Sequence, residues 1–149
     1  MFRFGKTLFL LAALFVCCTS DDLLAERIRQ LAGSSVGKSV DLDSVNPVSW
    51  DEIALFGPYF PKEHACKVLA LSSWSCFWLP YPRPDDSSPS MVVFLSKGEI
   101  VRSAFLPRCE IEIGFRSGSK SRAHKGSGRF LVSQREDVCK HGLLRLNQE

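Results

Sequence analysis

Catalytic motifs are scarce in this sequence, and histidine itself is rare. The 149-residue chain has three histidines, His64, His124 and His141. Residues 33–37, GSSVG, have the spacing of G-x-S-x-G, but they follow a predicted helix rather than the strand that this motif needs, and the zinc-peptidase pattern H-E-x-x-H does not occur. We therefore predict that the protein is not an enzyme. Paired glycosidase carboxylates stay open as an alternative, because such acids are neighbours in space rather than in sequence.

A phosphate-binding loop is also missing. Residues 33–39, GSSVGKS, imitate one, but the motif needs a glycine five positions before Gly37, and Ala32 stands there. The segment also follows a predicted helix rather than a strand. We expect no nucleotide and no other cofactor.

The sequence has no apolar run long enough to cross a bilayer. Residues 8–18 form an apolar segment of eleven residues, which is about 16 Å long as a helix, whereas a bilayer core needs about 30 Å. Arg3 and Lys6 precede this segment, and polar residues follow it. The pattern predicts a secretory signal peptide over residues 1–18 and a periplasmic location.

Two adjacent cysteines, Cys17 and Cys18, end the apolar segment. Bacterial lipoproteins carry their acylated cysteine at this place, so we predict lipidation at Cys18 and attachment to the membrane. Ordinary cleavage after Cys18 or Ser20, which releases a soluble protein, is the alternative. One acyl chain holds a membrane weakly, so an anchor needs more than one.

Strong net charge is absent as well, since the whole chain carries only +3. Acidic residues outnumber basic ones between residues 19 and 100, and basic residues outnumber acidic ones from residue 101 onward. Such asymmetry is typical of a surface for an acidic partner, although sheets and loops also sort charge in this way. The basic residues are too few, and the compartment is wrong, for nucleic-acid binding.

Four cysteines remain after the signal peptide, and an even number in an exported chain predicts disulfides. Three connectivities are possible, and we predict the sequence-local pairs Cys66–Cys76 and Cys109–Cys139. Zinc is the alternative, because His64 and His141 each lie two positions from a cysteine. The spacing matches no zinc motif, so we expect no metal.

Apolar periodicity predicts an α+β fold, a mainly antiparallel sheet with one or two helices packed on one face. Residues 50–56 are apolar on both faces and predict a central strand, and residues 96–98 predict a hairpin turn. Helices are expected at 21–32 and 61–71, strands at 50–56, 73–79, 91–95, 99–106, 110–115, 129–133 and 143–146, and a proline loop at 80–90. The predicted organisation is an N-terminal helix and linker over residues 19–47 and a single α+β domain over residues 48–149.

Residues 50–59, WDEIALFGPY, resemble a motif of small exported bacterial proteins: Trp-Asp, an alternating strand, and Phe-x-Pro-Tyr before a helix. In that group a hairpin follows, as it does here, and the resemblance covers residues 50–108. Some members resemble immunity lipoproteins of contact-dependent or type VI secretion systems. The residues themselves favour packing, with Trp50 anchoring the strand and Asp51 binding turn amides.

A basic Ser/Gly segment over residues 117–128, predicted to be a mobile loop, is the candidate partner-binding site. It contains no acidic residue, so it could complement the acidic cleft of a glycan-cleaving enzyme, or simply be a solvated surface loop. We expect Arg116, Arg122 and Arg129 to contribute most of the affinity of this segment for a partner. With its flanks, the basic segment comprises Arg116, Lys120, Arg122, His124, Lys125 and Arg129.

Together these features predict an exported periplasmic binding protein. Its partner would be another protein, and the resemblance favours an immunity protein that occludes a toxin enzyme. A structural or accessory envelope lipoprotein without inhibitory activity is the alternative function.

Overall fold

The computed structural model describes residues 21–82, 89–114, 122–125, 129–135 and 143–148. Among these residues, no helix combines the length and the apolar character that crossing a membrane requires. The helices are α1 (Asp22–Gly33), α2 (Lys62–Val68) and α3 (Ser73–Trp78), and a 3₁₀ turn spans Leu42–Ser44. The strands are β1 (Ser39–Asp41), β2 (Glu52–Phe56), β3 (Ser90–Ser96), β4 (Glu99–Leu106), β5 (Ile111–Gly114), β6 (Arg122–His124), β7 (Arg129–Arg135) and β8 (Leu143–Gln148).

Helix α1 begins at a side-chain cap, because the Asp21 carboxylate accepts a hydrogen bond from the Leu24 amide at 2.9 Å. Leu24, Ile28 and Ala32 form its buried stripe at helical spacing. The Asp21 amide donates to the Ser103 carbonyl of β4, also at 2.9 Å. The predicted helix over residues 21–32 is therefore present, and its first residue fixes it to a strand.

Four strands in the order β4-β3-β2-β6 form the core sheet, and all their pairings are antiparallel. Strand β2 is central and buried on both faces, as its two-sided apolar pattern predicted. Ile53 and Leu55 pack into one hydrophobic cluster, and Ala54 and Phe56 pack into another on the opposite face. One continuous strand thus separates the two cores.

The hairpin of β3 and β4 closes through two residues with positive φ, Lys97 at 52° and Gly98 at 81°. Two left-handed residues match the right-handed twist of the flanking strands. The Asp51 carboxylate accepts a hydrogen bond from the Lys97 amide at 2.8 Å. Asp51 therefore binds a turn amide as expected, but in a turn far along the chain.

The remaining strands form a second sheet in the order β1-β7-β8-β5, in which only the β5–β8 pairing is parallel. Phe130, Val132 and Leu146 of this sheet share the first hydrophobic cluster with α1 and the core sheet. On the other face of the core sheet, residues of α2 and the α3 region form the second cluster. The α+β fold with mainly antiparallel strands is confirmed, with its strands divided between two sheets.

Three local predictions were wrong. Residues 33–47 are not a plain linker, because they form β1 and the 3₁₀ turn and bury Val40, Leu42 and Val45. Residues 73–79 are not a strand, because residues 73–78 form α3. The basic Ser/Gly segment is not a loop throughout, because β6 pairs with β2.

Candidate functional site

Three exposed aromatic side chains, Trp74, Phe77 and Trp78, form what we call the aromatic surface. They expose 71%, 68% and 50% of their area, although large apolar side chains normally avoid water. Their spacing of three and four residues places them on one face of α3. On a scale of about 150–250 Å² per aromatic side chain, they leave roughly 400 Å² exposed.

The rings of the aromatic surface contact one another rather than the core. Phe77 and Trp78 meet edge to face with centroids 5.2 Å apart, and Trp74 and Trp78 do so at 5.7 Å. Trp74 and Phe77 lie nearly parallel at 6.3 Å. Every residue of α3 is at least partly exposed, so this helix contributes no fully buried side chain. Its apolar face is turned toward solvent.

A tight turn places α3 directly after α2. Ala70 takes a left-handed φ of 54°, a conformation that costs a residue with a Cβ. The Ala70 amide donates to the Lys67 carbonyl and the Leu71 amide to the Cys66 carbonyl, which satisfies the last carbonyls of α2. The Ser72 hydroxyl then caps α3 by accepting from the Ser75 amide at 3.1 Å.

A disulfide fastens α3 to α2. Cys66 and Cys76 are bonded, with their Cα atoms 5.4 Å apart, which confirms this predicted pair. Cys66 is buried in the second hydrophobic cluster, whereas Cys76 lies on the partly exposed helix. The Lys62 ammonium also donates to the Phe77 carbonyl at 3.0 Å. The aromatic surface is therefore attached to the core by a covalent bond and a polar contact.

Tyr81 supports the segment that follows α3. Its hydroxyl donates to the Phe60 carbonyl, and the Phe60 ring packs against Phe56 and His64. Burial, and secondarily the nearby Glu63 carboxylate, raises the pKa of Tyr81 to about 12. The phenol therefore stays protonated and remains a donor at neutral pH.

The described part of the basic segment lies on β6, on the residue after it and at the start of β7. Arg122 forms an ion pair with Glu52 and donates to the Val68 carbonyl at 3.0 Å. His124 lies 3.8 Å from the same Glu52 carboxylate. The Lys125 ammonium is 3.2 Å from Asp43 and lies over the Trp50 ring.

Acidic side chains from elsewhere in the fold thus offset the positive charge of the basic segment. Glu52 and Asp43 approach Arg122 and Lys125, and Arg129 is in register with Asp41 on the neighbouring strand. The segment itself contains no acidic residue, but the pairing of strands that are distant in sequence places these three acidic residues beside it. Arg122, in particular, stabilises the fold through its own contacts.

Several predicted site residues lie outside the described residues, namely Cys18, Arg116, Lys120 and Cys139. Cys109 is disulfide-bonded, and its pairing with Cys139 stays a prediction. Within the described ranges, no three His, Cys, Asp or Glu side chains converge as a metal site. His141 of the alternative zinc set is also outside those ranges.

The sequence pattern does not indicate the aromatic surface, because it predicts a strand over residues 73–79. The signals for a helix were present. Trp74, Phe77 and Trp78 have helical rather than alternating spacing, and Ser72 precedes them as a cap.

No protein-family model matches this chain, and neither the curated proteins nor the solved structures contain one that is significantly similar to it.

Proposed function

We propose that this protein is an exported periplasmic binding protein that inhibits a partner protein, as an immunity protein occludes a toxin enzyme. The aromatic surface is the observation that carries the proposal. A patch of about 400 Å² is within the range at which exposed apolar surface on a monomer is often functional. Trp and Tyr, with Arg, dominate the residues whose truncation most weakens protein–protein binding.

The three side chains offset a large part of the free-energy cost of association. Burying roughly 400 Å² of apolar surface contributes about 10 kcal/mol at 25 cal/mol per Å². Association itself costs about 4–15 kcal/mol in lost translational and rotational freedom. A specific complex therefore needs contacts around the aromatic surface in addition to the three side chains.

The basic segment is a second contact that we propose for the partner. Its described residues lie beside Glu52, Asp43 and Asp41, so their field is partly offset. Arg116 and Lys120 complete the proposed contact. Binding through it should weaken as salt rises, and replacing Arg116, Arg122 and Arg129 with serine should reduce this salt dependence.

Export is the first requirement of the proposal. A fusion of residues 1–30 to a periplasm-dependent reporter should be active, and a reporter that stays in the cytoplasm would refute export. Labelling with a fatty-acid analogue tests the proposed anchor. The label should be lost in Cys18→Ser, with Cys17→Ser as the matched control.

Co-purification with the product of the neighbouring gene tests the inhibitory role. A stable complex in which the partner's enzymatic activity falls supports an immunity protein. A complex without inhibition, or no complex although the protein is exported, favours an accessory envelope protein. The triple variant Trp74→Ser, Phe77→Ser, Trp78→Ser should lose binding in the first case.

A further inference from the structure

We propose that the aromatic surface inserts into an uncharged, apolar cleft of its partner protein, and not into an acidic one. This inference rests on the proposed function and adds the chemistry of the partner's site. The apolar cleft that binds the aromatic surface is thus distinct from any acidic cleft that the basic segment would bind.

The segment that carries the aromatic surface has no charged side chain of its own. Residues 69–82, LALSSWSCFWLPYP, contain no Asp, Glu, Lys, Arg or His. The described contacts place Lys62 at the end of α3, on the Phe77 carbonyl, and Glu63 beside Tyr81. The surface therefore has an apolar centre and charges of opposite sign at its margin, which is the usual composition of a protein interface. Within the described residues, this segment offers no cation of its own to an acidic cleft.

The size of the aromatic surface argues against an obligate homodimer formed through it alone. Obligate homodimers bury at least about 1,000 Å² per subunit, and ordinary complexes about 800 Å². The roughly 400 Å² of exposed aromatic area, from exposed fractions between 50% and 71%, supplies only the central part of an interface. A partner that surrounds the projecting helix can contribute the remaining contacts.

A membrane surface fits less well. Helices that lie in the interface of a bilayer carry Lys or Arg on their polar face, and α3 has none. Helix α1, which directly follows the predicted anchor, packs in the first hydrophobic cluster, whereas the α3 region packs with the second on the opposite face of the core sheet. A short lipid tether would therefore not bring the aromatic surface to the bilayer.

The aromatic surface is held in place before it meets a partner. The Cys66–Cys76 disulfide, the Ser72 cap and the Lys62 contact fix α3. Large aromatic side chains lose little conformational entropy on binding, and serine hydroxyls supply adaptable hydrogen bonds. Ser73 directly precedes Trp74, and Ser75 lies between Trp74 and Phe77. This combination is that of a paratope built on a rigid support.

A selection with a phage-displayed library of random dodecapeptides tests the inference without a known partner. The immobilised wild-type protein is the bait, and the triple variant Trp74→Ser, Phe77→Ser, Trp78→Ser serves for counter-selection. The matched control replaces three exposed apolar residues elsewhere, as Leu23→Ser, Val36→Ser, Val48→Ser. All six side chains are exposed, so we expect both variants to fold. Thermal unfolding of each variant verifies that the fold is intact.

We expect selected peptides that are apolar and uncharged, and whose affinity does not change between low and moderate salt. Their affinity should fall by at least about 100-fold on the aromatic triple variant, because interface aromatics dominate binding energy. The control variant should bind as the wild type does.

The inference would be overturned by aromatic-dependent peptides that have an acidic consensus or bind in a salt-sensitive way, or by the absence of any peptide that depends on the three aromatics. Aromatic-dependent dimerisation of the pure protein, or aromatic-dependent flotation with phosphatidylethanolamine–phosphatidylglycerol vesicles, would also overturn it. These results are independent of the co-purification experiment. If the protein inhibits no toxin, the peptide selection still measures which ligands the aromatic surface binds.

Discussion

Removing the Cys66–Cys76 disulfide should destabilise the protein and, above all, release α3. The perturbation is the double variant Cys66→Ala, Cys76→Ala, which leaves no free thiol from this pair. The two cysteines are ten positions apart. Loop-closure entropy for a loop of that size gives about 2.7 kcal/mol of lost stability.

The local effect should be larger than this average suggests. Helix α3 has six residues and no buried side chain, and isolated helices shorter than about 12 residues are marginal in water. Without the disulfide, α3 keeps the Ser72 cap, the Lys62 contact and the buried Leu79 that follows it. We expect the amides of residues 75–79 to lose hydrogen-exchange protection while those of β2 and β3 keep it.

Chemical denaturation and hydrogen exchange measure the two effects. Reductant should lower the stability of the wild type by more than that of the double variant. The difference between these two losses of stability gives the contribution of the Cys66–Cys76 disulfide. It removes the effect of reducing the Cys109 disulfide and the effect of the smaller side chain at residue 66. Unchanged protection in residues 75–79, together with a stability loss under about 1 kcal/mol, would refute the reasoning, because α3 would then be held by its non-covalent contacts.

Three further predictions concern polar contacts. Asp21→Asn should destabilise by about 1.5–3 kcal/mol through loss of charge toward Arg102, and Asp21→Ala by about 1 kcal/mol more, because the cap is lost too. Burial raises the pKa of Asp21, but the hydrogen bonds from Arg102 and the Leu24 amide outweigh it and lower the pKa overall. Its stabilisation should therefore be complete above about pH 4 and disappear on acidification, so that wild type and Asp21→Asn converge in acid unfolding experiments. Arg122→Ala should cost about 1–3 kcal/mol in urea denaturation, since the Glu52 carboxylate loses its partner; unchanged stability would return Arg122 to the role of a free partner-binding residue. Tyr81, with its pKa raised to about 12, should stabilise fully below about pH 10 and cease to do so as pH rises toward 12. The phenolate absorbance appearing near pH 12 should be missing in Tyr81→Phe, and a titration that Tyr81→Phe leaves unaltered would contradict the assignment.

The elements that the sequence predicts correctly are those whose pattern has a single physical interpretation. Helix α1 has its cap, its stripe of buried residues and its final glycine within thirteen residues. Strand β2 is apolar on both faces and lies between two other strands. The hairpin needs two residues with positive φ and has Lys97-Gly98. In each case the information is local, so no knowledge of distant residues is required.

The errors have a common physical cause, which is that distant partners decide the outcome. Residues 122–124 adopt a strand because β2 offers a free edge and Glu52 attracts Arg122. Val40, Leu42 and Val45 are ordered because the first hydrophobic cluster covers them. Composition shows that such segments are polar or rich in Ser and Gly. It does not show that the edge of a sheet is available to pair with them.

The error at α3 has a different origin and bears on function. An aromatic run predicts a strand when burial is assumed, because large apolar side chains normally pack inside. Here Trp74, Phe77 and Trp78 face solvent on a short helix, which local propensity alone would not maintain. The disulfide joins this helix to α2 on its own side of the core sheet, and not one sheet to the other. Its position is therefore better explained by the need to hold an exposed aromatic face in one orientation than by the stability of the two hydrophobic clusters, to which α3 contributes only the partly buried Cys76.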